Sequence, residues 1–265
     1  MDRFGRDSGT SFVILIPYFN ESHRLDINAI SNFLTEIHCD VIFVDDGSSD
    51  SSADLVDRLC FVLNELKINA RNYKLSKNSG KARALIAGMS FAKDCGYTHA
   101  INLDIDLPLS IKDVQVGISV TAEAPNVGLV SGARVRLAGS GVKRTIARQW
   151  IGRIIATYIY FLGKIEMYDT QSPLKIYNLE ICELIENHRF RTRWFGDVEI
   201  ILGNQLYFRN AGIREFPLDN WVDISQGYFT VRNYHEVLFD LFKLTQVLVF
   251  RKTTTTLSDQ KGFRI

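Results

Sequence analysis

The sequence predicts an α/β protein with a mixed, mainly parallel sheet flanked by helices. Three observations carry this. Short apolar runs stand at residues 12–16, 41–44 and 100–103. Segments with a helical apolar rhythm separate them, and polar, mostly acidic residues follow each one closely. Strands that alternate with helices imply parallel pairing, with the helices covering the sheet faces.

The elements follow in order. Phe12-Val-Ile-Leu-Ile16 is ended by Pro17. Residues 25–37 then place Leu25, Ile30, Phe33, Leu34 and Ile37 at helical spacing. Val41-Ile-Phe-Val44 is ended by Asp45-Asp46-Gly47, and residues 51–66 repeat the helical pattern. A third helix is expected over 79–93, and Ala100-Ile-Asn-Leu103 is ended by Asp104. Val127-Gly-Leu-Val-Ser-Gly132 reads as a further strand, followed by a basic helix over 143–162. Helices are expected near 179–187, 195–207 and 233–250, with a short strand near 213–217. The tail from Arg251, with four consecutive threonines, reads as poorly ordered.

Composition narrows the partners. Lys+Arg (31) and Asp+Glu (30) nearly cancel over 265 residues, which argues against nucleic acid as a partner. Locally the balance differs: residues 132–164 hold seven basic side chains, Arg134, Arg148 and Arg153 among them, and no acid. That excess suits an anionic ligand or membrane surface. The scattered cysteines (Cys39, Cys60, Cys95, Cys182) suggest buried thiols in a reducing compartment. No signal-peptide pattern stands at the start, and no run reaches the roughly 20 apolar residues of a spanning helix. His23 and His99 read as surface or capping residues.

Polar residues collect where the strands end: Asn20-Glu21, Asp45-Asp46 and Asp104-Ile105-Asp106. That edge is where ligands sit in open α/β sheets. Two carboxylates two residues apart can share one hard cation, Mg²⁺ or Mn²⁺, which also takes diphosphate oxygens. Asp45 and Asp46, before Gly47, can accept hydrogen bonds from a base or ribose. Asn78-Ser-Gly-Lys-Ala-Arg83 opens a helix with Lys81 and Arg83 near its backbone N–H groups, a favourable setting for phosphate. The P-loop frame is absent, since residue 82 is Ala and residue 75 is Leu.

Pro17-Tyr18-Phe19-Asn20-Glu21, Val44-Asp-Asp-Gly-Ser, Asn78-x-Gly-Lys81 and Asp104-x-Asp106, in that order, resemble glycosyltransferase family 2. Ser131-Gly-Ala-Arg134, Asp169-Thr-Gln-Ser-Pro-Leu-Lys175 and Trp194-Phe-Gly-Asp-Val-Glu199 are similar to its dolichyl-phosphate glucose and mannose synthase branch. The resemblance implies a glycosyltransferase A-type, Rossmann-like fold. It implies inverting transfer of a hexose from a UDP-glucose or GDP-mannose type donor to a polyprenyl phosphate. The alternative acceptor is a sugar hydroxyl in polysaccharide or glycolipid synthesis.

By position, Pro17, Tyr18, Asn20, Glu21, Asp45, Asp46, Lys81, Ile105 and Gln171 would hold the nucleotide sugar, with Asp104 and Asp106 on metal and diphosphate. Arg134 and Arg148 would face phosphates. Asp197, with Glu199 second, would be the base for a hydroxyl acceptor, or Asp197 would orient an arginine when the acceptor is already an anion. The expected organisation is a catalytic domain over 1–228 and a C-terminal amphipathic helix with a flexible tail over 229–265. The expected location is cytoplasmic, peripheral on the cytoplasmic face of a membrane. The 143–162 helix, with Ile151, Ile154, Ile155, Tyr158, Ile159 and Leu162 as its apolar stripe, either lies in that interface or packs on the core. Oligomeric state stays open.

Overall fold

In the computed structural model, residues 10–124, 126–139, 141–143, 146–186, 188–208, 212–222 and 234–258 are described. The strands are β1 Phe12–Tyr18, β2 Asp40–Asp45, β3 Ala70–Lys74, β4 His99–Asn102, β5 Leu129–Ala133, β6 Gly141–Lys143, β7 Lys175–Asn178, β8 Ile213–Pro217 and β9 Asn220–Val222. The helices are α1 Ile27–Ile37, α2 Ser52–Glu65, α3 Lys81–Asp94, α4 Ile111–Glu123, α5 Ile146–Gly163, α6 Cys182–Ile185, α7 Gly196–Phe208 and α8 Tyr234–Ser258. A 3₁₀ turn, Leu179–Ile181, leads into α6.

Seven strands form one sheet in the order β3-β2-β1-β4-β7-β5-β8. Every neighbouring pair is parallel except those made by β7, which runs against both β4 and β5. β6 and β9 pair separately as a two-stranded parallel ribbon.

Side chains along a strand alternate between faces, and β1 shows the result. Phe12, Ile14 and Ile16 join a core with Ile30 and Leu34 of α1, Val56 and Leu59 of α2, and Val114 of α4. Val13 and Leu15 join a second core with Leu85 and Met89 of α3, Ile159 of α5, Ile201 of α7, and Leu244 and Leu248 of α8. Being buried on both faces is why β1, β2 and β4 read as near-continuous apolar runs.

Several expectations change. β3 was not expected. It is an edge strand, Ala70-Arg-Asn-Tyr-Lys74, in which Ala70 alone is buried, so it lacks an apolar run. β4 is therefore the fourth strand along the chain rather than the third. β7 was also missed, because it opens on a fully buried lysine. The basic helix starts at Ile146, since Gly141–Lys143 pairs as β6. The last helix continues through the four threonines to Ser258, against the reading of a loose tail from Arg251; residues 259–265 lie outside those described. His99 is a core residue, not a surface one: it is 4% exposed and tilted against the Phe12 ring. Burial lowers its pKa to about 4. Cys39, Cys60 and Cys182 are buried and Cys95 is half-buried.

The apolar stripe of α5 divides. Ile155, Ile159 and Leu162 pack into the second core, and the Tyr158 hydroxyl bonds the Thr245 hydroxyl of α8 at 2.5 Å. Ile151 and Ile154 instead face outward, at 43% and 66% exposed, with Trp150 and Phe161. Among the described residues, no helix is long and apolar enough to cross a membrane.

Candidate functional site

Register brings the polar strand ends together. Tyr18 pairs with Asp45, so β1 and β2 finish side by side, and the Asp46 N–H donates to the Tyr18 carbonyl. β4 finishes beside them, with the Leu103 N–H donating to the Leu15 carbonyl. Gly47, at φ 74°, turns the chain so closely over the next loop that a Cβ there would lie 2.6 Å from the Lys77 carbonyl carbon. Only glycine meets both conditions without strain.

Above this edge is a cavity of about 440 Å³. Pro17, Tyr18, Glu21, Asp46, Lys81, Asp104, Ile105 and Asp106 line it, with Phe19, Arg24, Ala84 and Trp194. The two carboxylates of Asp104-x-Asp106 each meet one cation. Lys81 Nζ lies 2.5 Å from Asp104 Oδ1, and the Arg24 guanidinium lies 3.0 Å from Asp106 Oδ2 and 3.3 Å from Glu21. Burial and the neighbouring Asp104 charge push the Asp106 carboxyl above its ordinary value, against the pull of Arg24. Burial also raises Glu21.

Asp46 sets the loop that leads into α3. Its two oxygens accept from the Ser79 and Gly80 N–H groups at 2.7 and 2.8 Å, fixing the turn that opens α3 and carries Lys81. The Tyr18 hydroxyl donates to Asn72 at 2.9 Å, and burial holds its phenol well above the ordinary value.

A second polar cluster forms at the neighbouring ends of β5 and β7. Arg134 makes a two-pronged pair with Asp169, at 2.6 and 2.8 Å, donates to the Gln171 carbonyl, and lies 5.0 Å over Trp221. Glu215 of β8 accepts from the Tyr168 and Asp169 N–H groups and so pins that corner. Lys175, 0% exposed, donates to Asp197 at 2.9 Å and to the Ser172 carbonyl at 2.7 Å. Burial alone would raise the Asp197 carboxyl, but Lys175, Lys81 and Arg134 outweigh it and hold it below the ordinary value.

Other expected residues serve the scaffold. The Asn20 side chain accepts from the Ser49 N–H, and Asp45 accepts from the Ser48 N–H; neither lines the cavity. Gln171 meets Arg134 through its backbone. The side chain of Arg148 lies outside those described. Glu199 is not placed to act as a base: its oxygens accept from His188, Thr192 and the Arg191 N–H, and its side chain is 1% exposed. The sequence reading missed Arg24 and Trp194 as cavity residues. An arginine three places after Glu21 was the available signal for the first.

Asp104 and Asp106 fit a hard divalent cation. Both are carboxylates on one cavity wall, and the like-charge strain on Asp106 is of the kind a cation relieves. Among the described residues, no group of three or more His, Cys, Asp or Glu side chains is arranged to hold a metal ion, so these two carboxylates would have to share the cation with oxygens from the ligand.

The model of the family described as Glycosyl transferase family 2 matches residues 13–185. The chain is 28% identical over 226 residues to a dolichyl-phosphate beta-glucosyltransferase of Dictyostelium discoideum, an alignment covering 80% of this chain and 66% of that protein. It is 25% identical over 232 residues to the Saccharomyces cerevisiae dolichyl-phosphate beta-glucosyltransferase, covering 80% and 67%. The chain thus spans about two thirds of the length of these relatives. A solved structure of glucosyl-3-phosphoglycerate synthase from Mycobacterium tuberculosis, in complex with Mn²⁺, UDP and glucosyl-3-phosphoglycerate, matches with a TM-score of 0.62 at 12% identity. That match covers 100% of this chain and 84% of the other. The shared fold is the glycosyltransferase A-type architecture expected from the sequence.

Proposed function

The chain belongs to glycosyl transferase family 2, and from that premise we propose that it moves a hexose, with inversion, from a UDP-glucose or GDP-mannose type donor to a polyprenyl phosphate. The observation that carries the reading is the cavity wall where Asp104 and Asp106 stand beside Lys81 and Arg24. The relatives' names support the acceptor, and the Mn²⁺ and UDP of the neighbouring structure support the donor class.

In this reading Asp104 and Asp106 hold Mg²⁺ or Mn²⁺, which when bound offsets the charge of the departing diphosphate. Lys81 and Arg24 bind diphosphate oxygens. Pro17, Tyr18 and Glu21 hold the base and ribose, and Asp46 keeps the loop carrying Lys81 in place. Arg134, oriented by Asp169, holds the acceptor phosphate with the forked geometry that suits arginine.

The state of Asp197 favours one acceptor over the other. A sugar hydroxyl needs a base, whereas a phosphate is already an anion. Asp197 is tied to a buried lysine and held below its ordinary value, which makes it a weak base and suits an orienting role. Outward Trp150, Ile154 and Phe161 on α5, with Phe239 and Phe242 on α8, support peripheral attachment to a membrane, which this reading places on the cytoplasmic face.

The test is a donor and acceptor screen. UDP- and GDP-sugars are offered with a short-chain polyprenyl phosphate or a sugar acceptor, with and without Mn²⁺. Metal-dependent transfer to the lipid phosphate is expected. Turnover of no donor sinks the transferase reading for this chain, and transfer to the sugar hydroxyl alone sinks the acceptor.

A further inference from the structure

Behind the Lys81 wall of the donor cavity is a second cleft, of about 350 Å³. Lys81, Arg83, Arg191, Arg193 and Lys243 line it, and no carboxylate does. Lys81 is paired with Asp104 and Lys243 with Asp240, but among the described residues no carboxylate pairs with Arg83, Arg191 or Arg193; Arg83 donates instead to the carbonyls of Glu186 and His188. Gathering these three arginines beside one another costs free energy unless an anion offsets them.

The loop that presents two of these cations is held rigidly. Glu199 accepts from the N–H groups of Arg191 and Thr192, and Asp240 of α8 accepts from those of Arg193 and Trp194. Both residues are buried. They tie down the backbone of residues 191–194, while the arginine side chains remain exposed at the cleft. The backbone beneath both forks is thus set before an anion binds, and binding has only the two side chains to order.

We propose that this cleft is an anion site, separate from the donor cavity, that takes the phosphate of an acidic lipid headgroup. Helix α8 argues for a lipid source over a free phosphate. Lys243 lines the cleft and stands 4.5 Å over the Phe239 ring, and Leu238, Phe239 and Phe242 are 46%, 60% and 59% exposed. One helix therefore joins the cationic cleft to an outward apolar surface, the pairing a headgroup and its acyl chains require. The anion site does not depend on the transfer reaction; only the lipid source leans on the membrane reading.

The test is co-sedimentation of the full chain with phosphatidylcholine vesicles, with and without phosphatidylglycerol, beside a titration with glycerol phosphate. The wild type should prefer the acidic vesicles. Arg191→Gln with Arg193→Gln should bind them roughly 30-fold more weakly, as expected when two basic residues leave an anionic surface. Arg191→Lys with Arg193→Lys should keep most of the binding, which separates lost charge from lost fold. Equal partitioning of wild type and the glutamine variant into acidic vesicles would overturn the proposal. Saturable glycerol phosphate binding that the glutamine variant loses, without any vesicle preference, would uphold the anion site and overturn its lipid source. Donor hydrolysis measured in solution on the same samples reports separately on the transferase reading.

Discussion

The Asp240 carboxylate on α8 accepts a hydrogen bond from the backbone N–H of Trp194 at 2.8 Å, so the last helix holds one wall of the cavity at the strand ends. The same oxygen accepts from the Arg193 N–H at 2.6 Å. Asp240→Ala should leave two N–H groups unmade, at a cost of about 3 kcal/mol in stability, and raise the donor KM more than it lowers kcat. Asp240→Asn, which keeps an acceptor oxygen, should lose much less. Denaturant melts and donor kinetics of the two variants check this.

Asp106→Ala should lower turnover by about three orders of magnitude, since the metal's charge stabilisation is worth several kcal/mol. Its partner Arg24 is half-buried, and exposed pairs contribute roughly 0–1 kcal/mol, so the melting point should barely move. Chelation with EDTA should mimic the loss, and added Mn²⁺ should reverse the chelation but not the substitution.

Lys175 is fully buried and paired with a partly exposed Asp197, so replacing the lysine removes the aspartate's nearest counter-charge and leaves it only the more distant pull of Lys81 and Arg134. Lys175→Met should destabilise the fold by roughly 1–3 kcal/mol. Lys175→Met with Asp197→Leu should recover part of that, measured as a double-mutant cycle in urea. A lone lysine substitution that leaves stability unchanged would refute the pairing.

Glu199 carries a pH dependence. Burial would raise its carboxyl, but hydrogen bonds from His188, Thr192 and Arg191 win and hold it below the ordinary 4.5. A group lowered on folding contributes stability that is full above about pH 4.5 and is lost as pH falls through the folded value. Glu199→Gln should therefore be less stable than wild type near neutrality, and the gap should narrow in acid. Thermal melts across pH 3–7 measure it.

The strands buried on both faces were legible because two cores demand apolar residues at every position; β1 and β2 show this most clearly. β3 was hidden because an edge strand needs no such run, and Arg71 and Lys74 are free to face solvent. β7 was hidden because Lys175 finds its counter-charge on α7, a partner far along the chain. In the site, Asp46, Asp104 and Asp106 were readable from their place at strand ends. Arg24 and Trp194 were not, since each reaches the cavity through tertiary contacts: one through Asp106, the other through Asp240.

The reversed strand β7 also orders the birth of the molecule. Strands β1 to β4 can pair as soon as they are made, yet in the described sheet β5 and β8 connect to them only through Lys175–Asn178. A chain emerging N-terminus first thus carries β4 as a bare edge until β7 arrives, the kind of exposed ladder that recruits other strands. A fragment stopped at residue 170 should contain the cavity's aspartates and still aggregate, while one reaching residue 222 should stay dispersed longer. The seam of this sheet is a four-residue clasp, and everything made between Asn102 and Lys175 emerges while it is still open.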